Sequence, residues 1–195
     1  MRAGIDLGGT KIEIAVLDEQ NGIVLRERAA TPGGTYQDTI DAIAGLLAGA
    51  EATLGVRIPR FGVATPGSIS PATGLIRNAN STRLNGHPLD RDLADATGRN
   101  VRVENDANCF AVAEARLGAA QGRRLVYGII LGTGVGAGIV VNQRVLMGAN
   151  AIAGEWGHNP LPWPRRRWAR ARTPKRCSAS SSAPASAPGS STAAR

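Results

Sequence analysis

Two stretches of this chain spell out the same order of elements. Ala3 to Leu7 reads as a buried strand, Gly8-Gly9-Thr10 as a tight turn, and Lys11 to Leu17 as a second strand with Ile12, Ile14 and Val16 on one face. Asn21-Gly22 then turns the chain into a third strand, Ile23-Val24-Leu25-Arg26. Residues 126–147 repeat this order: strand Val126 to Leu131, glycine-rich turn Gly132-Thr133-Gly134-Val135-Gly136, strand Ala137 to Val141, turn Asn142-Gln143, strand Arg144 to Met147. Such a duplication predicts two similar domains facing each other across a cleft, with two glycine turns converging on one ligand. P-loops and dinucleotide folds are disfavoured, because both place their glycines between a strand and a helix. Glu155 does fall about 20 residues after Gly132-Thr133-Gly134, as a dinucleotide fingerprint asks. The β-branched run Ile139-Val140-Val141 stands where that fold needs a helix.

Glycines without side chains let backbone N–H groups and the Thr10 hydroxyl approach a phosphate. An ordinary hairpin turn remains the competing reading of Gly8-Gly9-Thr10. Asp6 beside a phosphate would repel it unless a divalent cation, Mg²⁺ above all, lies between them directly or through water.

The stretch Val101 to Cys109 is the second candidate for chemistry. Val101 and Val103 alternate as in a half-buried strand, and Ala107, Phe110, Ala111 and Ala115 follow at helical spacing. Asn105 and Asp106 therefore sit at a strand's carboxyl end, where α/β sheets bind ligands and where a carboxylate can accept a proton from a bound hydroxyl. Asp106 as a helix N-cap is the alternative. Arg60 to Thr65 is a further strand running into Pro66-Gly67-Ser68, a turn at the same kind of position, where Gly67 lets a ligand approach the backbone. Asn78 to Gly86 gathers amides and hydroxyls suited to a polyhydroxylated molecule, or simply forms a polar surface loop. Thr35 to Leu54 is an amphipathic packing helix, and Leu89 to Thr97 a short helix stopped by Gly98.

The net charge of +8 is not spread along the chain. Residues 1–162 hold 15 basic and 15 acidic residues, and residues 163–195 hold 8 basic and none acidic. A nucleic-acid argument from charge thus concerns the tail alone. No run of 18 apolar residues and no basic N-terminus before an apolar run is present, so neither a membrane span nor a secretory signal is expected, and the cytoplasm is the expected compartment. Cys109 and Cys177 lie far apart and form neither a disulfide framework nor a metal pair.

With these pieces in place, the chain resembles bacterial sugar kinases of the ROK family, and most closely their fructokinase branch. Six motifs carry the resemblance, in the family's order: Asp6-Leu7-Gly8-Gly9-Thr10-Lys11, Pro66-Gly67-Ser68-Ile69-Ser70, Asn78-Ala79-Asn80-Ser81-Thr82, Glu104-Asn105-Asp106-Ala107-Asn108, Gly132-Thr133-Gly134-Val135-Gly136 and Gly154 to Pro162. The resemblance implies an α/β fold of the actin-like ATPase (ribonuclease H-like) kind. Its first domain would span 1–118, the beginning of an incomplete second domain 119–162, and a basic, disordered Ala/Ser/Pro-rich tail 163–195. It implies transfer of the γ-phosphate of ATP to a hexose hydroxyl, giving fructose 6-phosphate. Asp106 would be the general base, and Asn105, Gly67, Asn80, Glu155 and His158 would hold the sugar. Gly8, Gly9, Thr10, Lys11, Thr133 and Gly134 would bind the phosphates of ATP, and Asp6 would orient Mg²⁺ or its water. The family's structural Zn²⁺ would use His158, but the Cys-x-Cys-Gly-x-x-Gly-Cys run that completes that site is absent here, so His158 is read as a sugar-contacting or satisfied buried histidine. The later glutamate that contacts the sugar and the segment that cups adenosine are absent too. Sugar and ATP are the implied partners, a homodimer is an open option, and nucleic acid is disfavoured.

Residues 163–195 contain no Ile, Leu or Val, so they do not complete a domain. A frameshift near codon 163 accounts for the Arg/Ala/Pro/Ser mixture, and on that expectation the chain has little or no turnover. The alternatives are a non-catalytic sugar-binding remnant, or a regulator whose basic tail, with Trp163 and Trp168, contacts nucleic acid.

Overall fold

The computed structural model describes residues 1–131 and 135–154, which fall in one compact unit spanning Met1–Asn159. Thr133, Gly134, Glu155, His158, Cys177 and the whole basic tail lie outside the described residues.

The first sheet has five strands: β1 (Arg2–Leu7), β2 (Lys11–Leu17), β3 (Ile23–Ala30), β4 (Arg60–Thr65) and β7 (Asn100–Asn105), in the order β3-β2-β1-β4-β7. β1 to β3 form an antiparallel meander, while β4 and β7 run parallel to β1. Between β4 and β7 lies a small hairpin of β5 (Ser68–Ile69) and β6 (Ile76–Arg77), which the sequence reading did not foresee. β3 runs to Ala30 rather than stopping at Arg26, because Arg26 and Arg28 both reach Glu13 on the neighbouring strand. That cross-strand pairing gives the extra length a side-chain reason to stay in the sheet.

Helix α1 (Tyr36–Leu54) starts where a capping box closes. Thr35 accepts the Asp38 N–H, and the Asp38 carboxylate accepts the Thr35 N–H at 2.6 Å. Gly55 ends the helix in the left-handed conformation. Its apolar stripe of Ile40, Ile43, Leu47 and Ala50 is buried against Ala3, Ile5, Leu7, Ile12, Ile14 and Val16, the inward face of the sheet. Each Ile or Leu buried this way contributes roughly 1.5–3 kcal/mol. Helix α2 (Leu89–Thr97) adds Leu89 and Leu93 to the same layer and stops at left-handed Gly98.

The second sheet repeats the opening meander: β8 (Leu125–Leu131), β9 (Val135–Val141) and β10 (Arg144–Val145), in the order β10-β9-β8. Its third strand ends at Val145, two residues before the expected Met147, and Asn142 and Gln143 make the intervening turn with positive φ. Helix α3 (Asp106–Arg116) follows β7 directly and packs on this sheet through Ala107, Ala111 and Ala115. The approach is close enough to require glycine opposite. A Cβ on Gly138 would lie 2.6 Å from the Ala107 carbonyl oxygen, and one on Gly128 2.9 Å from the Ala111 methyl carbon. Phe110, placed by its spacing among the apolar positions of this helix, is instead exposed, with only its ring edge near Gly128. No helix among the described residues is long and apolar enough to cross a membrane.

Candidate active site

The carboxyl ends of β1, β4 and β7 lie side by side in the first sheet and open onto one cavity of about 1100 Å³. Each end supplies something different.

β1 supplies Asp6 and the glycine turn. The Gly8 N–H donates to the Lys11 carbonyl at 3.0 Å, and a side chain at Gly8 would sit 2.9 Å from that same oxygen. The turn is held from outside by Thr31, whose hydroxyl donates to the Gly8 carbonyl at 2.8 Å and whose N–H donates to the Thr10 carbonyl at 3.0 Å. Gly8, Gly9 and Thr10 all line the cavity.

β4 supplies Gly67. Its φ of +88° strains any other residue, and a Cβ there would lie 2.6 Å from the Arg77 carbonyl oxygen. The polar loop after β6 splits into two jobs. Asn78, Asn80, Ser81 and Thr82 line the cavity, whereas Asn85 braces the loop by bonding both the N–H and the carbonyl of Ala79, at 2.9 and 3.2 Å.

β7 supplies Asn105 and Asp106, and the structure decides between the two readings of Asp106. The N-cap of α3 is Asn105, whose Oδ1 accepts the Asn108 N–H at 3.2 Å. Asp106 is the first helical residue and caps nothing beyond the adjacent Ala107 N–H, at 2.8 Å. The capping alternative for Asp106 therefore falls, and its second oxygen is left for the cavity. Glu104 supports the pair from behind, accepting from the Asn105 N–H at 2.8 Å and the Asn108 side-chain amide at 3.0 Å.

Burial raises the Asp106 pKa, opposed by the Ala107 N–H and its own N–H. Asp6 is raised too, by burial first and then by the negative charges of Asp106 and Glu13, with Lys11 and Arg28 opposing. The Asp106 charge thus disfavours the charged form of Asp6, which a cation placed beside Asp6 would relieve. Lys11 itself starts β2 with its side chain exposed and does not line the cavity. Cys109, on the far side of α3, is pushed up to about 12 by burial, with Glu104, Asp106 and Asp6 adding to the shift, and is a thiol rather than a nucleophile at neutral pH.

The structure thus gathers Asp6, Gly8, Gly9, Thr10, Gly67, Asn80, Asn105 and Asp106 around one space. It adds Gly33, Gly34, Arg83 and Ala151 to Ala153, which the sequence reading missed. Gly33-Gly34 carried a signal, since paired glycines just before a capping box mark backbone that something approaches. Arg83 carried none. Among the described residues, no group of three or more His, Cys, Asp or Glu could hold a metal by itself.

The chain is similar to known proteins. The family model of the ROK family matches residues 2–182. The N-acetyl-D-glucosamine kinase of Vibrio cholerae is 43% identical over 162 residues, which are 83% of this chain and 53% of that protein. The chain spans about half the length of the curated relatives it matches. Among solved structures, the ROK hexokinase from Thermus thermophilus is 39% identical with a TM-score of 0.71, over 80% of this chain and 52% of that one. A ROK family glucokinase from Streptomyces griseus, solved in complex with glucose and AMPPNP, is 35% identical with a TM-score of 0.73, over 82% and 50%. The fold they share is the actin-like ATPase fold, of which the described residues form the N-terminal portion.

Proposed function

The chain belongs to the ROK family of sugar kinases, and on that premise we propose that its cavity binds a hexose and belongs to an ATP-dependent phosphotransferase. The observation that carries this is the convergence of a glycine turn, two carboxylates and the amides of Asn80 and Asn105 on one space. Donors for phosphate, acceptors for sugar hydroxyls and a candidate base are the three things phosphoryl transfer to an alcohol needs.

In this reading Asn105, Asn80 and the Gly67 turn orient the sugar. The Asp106 carboxylate, free of capping duty, takes the proton of the attacking hydroxyl. A carboxylate is a weak base, and its upward shift moves it toward the useful range. The Gly8-Gly9-Thr10 turn receives phosphate of the nucleotide, with Thr133 and Gly134 completing the second turn. Asp6 is the residue to hold Mg²⁺ or its water, and the upward push of the Asp106 charge on Asp6 fits a site built around a cation. Bound there, Mg²⁺ supplies charge neutralisation for the transferring group. Glu155 and His158 complete the sugar loops, and β8 to β10 begin the second domain.

For the acceptor, the named relatives change the sequence-based expectation. They are N-acetyl-D-glucosamine kinases, a hexokinase and a glucokinase, not fructokinases. N-acetyl-D-glucosamine is therefore the first acceptor to try, ahead of glucose and fructose. Isothermal titration of the 195-residue chain with each sugar, with and without Mg²⁺-AMPPNP, tests the binding reading, and a coupled assay of ATP consumption tests turnover separately. We expect one sugar to bind at least tenfold more tightly than the others and Asn105→Ala to abolish that preference. Absence of binding by any hexose at millimolar concentration would sink the proposal.

A further inference from the structure

Residues 148–154 line the cavity through Ala151, Ile152 and Ala153 and lead into Glu155 and His158. Their backbone is unusual. Gly148 and Gly154 are left-handed, with φ of +68° and +97°, and so is Ala151, with φ of +51° and no glycine freedom to make that cheap. A non-glycine residue stays in that region only where its surroundings hold it. The segment's own hydrogen bonds are long, from the Ala151 N–H to the Gly148 carbonyl at 3.4 Å and from the Ala153 N–H to the Met147 carbonyl at 3.2 Å.

Among the described residues, two side chains donate to this segment from outside. The Tyr127 hydroxyl donates to the Gly154 carbonyl at 3.3 Å, where the backbone lies so close to β9 that a Cβ on Gly154 would sit 2.8 Å from the Ala137 carbonyl oxygen. That end is held by the second sheet. At the other end the Arg77 guanidinium donates through Nη2 to the carbonyl of Asn150, the residue before left-handed Ala151. Arg77 belongs to β6 and pairs with Ser68 of β5, and its own carbonyl oxygen lies 2.6 Å from where a Gly67 Cβ would stand. One residue thus meets the Gly67 turn with its backbone and residues 148–154 with its side chain. An ion pair does not explain the placement of this cation, since among the described residues no carboxylate lies within pairing distance and its Nε is buried without a partner. Arg77 does not line the cavity either.

We propose that Arg77 is a positioning residue for the acceptor. It fixes Asn150 and with it the left-handed turn at Ala151, so that Ala151 to Ala153 and the Gly67 turn meet the sugar as one surface. A charged donor suits the task, because its hydrogen bond to a carbonyl is stronger than that of a neutral one. The inference rests on the hexose reading of the cavity and adds to it a side chain that touches no ligand yet sets the affinity for one.

Arg77→Met keeps the length of the stem and removes every donor, and Arg77→Lys restores one charged donor. In Arg77→Met the amides of Ala151 and Ala153 should exchange roughly tenfold faster while those of β1 and β4, which report on global folding, stay unchanged. Isothermal titration uses N-acetyl-D-glucosamine, glucose or fructose, whichever the wild type binds most tightly. Arg77→Met should weaken that sugar by roughly tenfold and leave Mg²⁺-AMPPNP binding unchanged, and Arg77→Lys should lie between it and the wild type. Arg99→Ala, a destabilising change at the far end of the sheet, should leave the sugar affinity unchanged. Unaltered exchange at Ala151 and Ala153 in Arg77→Met would overturn the proposal, and so would faster exchange with unaltered sugar affinity, or an equal loss of affinity in Arg99→Ala. A wild type that binds no hexose defeats the reading of the cavity and the acceptor role of Arg77 with it, whereas a wild type that binds hexose with Arg77→Met unchanged defeats the role of Arg77 alone.

Discussion

The side-chain amide of Asn105 donates to the carbonyl oxygen of Gly67 at 3.0 Å, while the other end of the same amide accepts the Asn108 N–H at 3.2 Å. One residue thus ties the turn after β4 to the start of α3. Those are the ends of two neighbouring parallel strands, in register up to Thr65↔Asn105. The position of Asp106 in the cavity depends on that tie, because Asp106 is the next residue along.

Removing the tie should therefore cost stability and site geometry together. Asn105→Ala loses an N-cap, worth about 1 kcal/mol, and leaves the part-buried Gly67 carbonyl without this donor. A total loss of roughly 1–3 kcal/mol is expected from urea unfolding. Asn105→Asp separates the two parts, since it keeps the cap acceptor but sets a carboxylate against the Gly67 carbonyl. If Asn105→Asp matches the wild type in stability, the Gly67 contact contributes nothing and the cap is the whole effect.

Gly67 and Gly33 form a controlled pair lining the same cavity. At Gly67 a Cβ meets the Arg77 carbonyl oxygen at 2.6 Å and φ is +88°, whereas at Gly33 nothing lies within 4 Å. Gly67→Ala should destabilise by about 1–3 kcal/mol through left-handed strain and backbone displacement. Gly33→Ala should be neutral or slightly stabilising, through the unfolded chain. Thermal melts of both variants check this, and equal shifts would mean that the wall relaxes around either methyl group.

These contrasts show what the sequence made legible. Strands and helices with strong periodicity were readable, as were the glycine turns and the carboxyl-end placement of Gly67, Asn105 and Asp106. The capping alternative for Asp106 falls to its neighbour because Asn105 and Asp106 are both good caps, and only the extended backbone of Asn105, with ψ of 142°, decides between them. Phe110 misled because helical spacing states which residues share a face, not how closely the partner approaches. The opposing surface is glycine from a strand distant in sequence, and one sequence does not announce that contact. Arg83 reached the cavity through a short 3₁₀ turn, Thr82–Leu84, that periodicity is too coarse to place.

The raised pKa of Asp106 has a sign that can be tested. A carboxyl whose pKa is higher in the folded than in the unfolded chain favours folding in its protonated form, and that contribution is lost as pH rises through the folded value. At neutral pH the charged Asp106 therefore costs stability, and so does Asp6. Asp106→Asn should raise the melting temperature at pH 7, with the gain shrinking toward pH 3. Any turnover that the wild-type chain shows should fall by about 10²–10⁴-fold with the loss of the base. A lower melting temperature at pH 7 would mean that the Ala107 N–H bond to the carboxylate outweighs its burial.

Glu51 carries the opposite sign. Burial alone would raise its pKa, but Arg99 and the Ile58 N–H bond hold it below the ordinary value. The Arg99 guanidinium reaches both carboxylate oxygens, at 2.8 and 3.0 Å from one nitrogen, and Ile58 donates at 2.7 Å. This cluster joins the end of α1 to the segments entering β4 and β7, so it sets the base of the sheet whose other end forms the cavity. A depressed carboxylate stabilises the fold above its unfolded pKa, and that stability disappears as pH falls through the folded value. Arg99→Ala should cost about 1–3 kcal/mol at pH 7, where a charge-assisted pair is lost, and clearly less near pH 3, where Glu51 is protonated in both proteins. Arg99→Lys should recover only part, because an ammonium lacks the second nitrogen, Nε, that also donates to Glu51 at 3.2 Å. Urea unfolding of the three proteins at the two pH values tests the argument, and a penalty independent of pH would show that Arg99 acts through packing of its stem rather than through its charge.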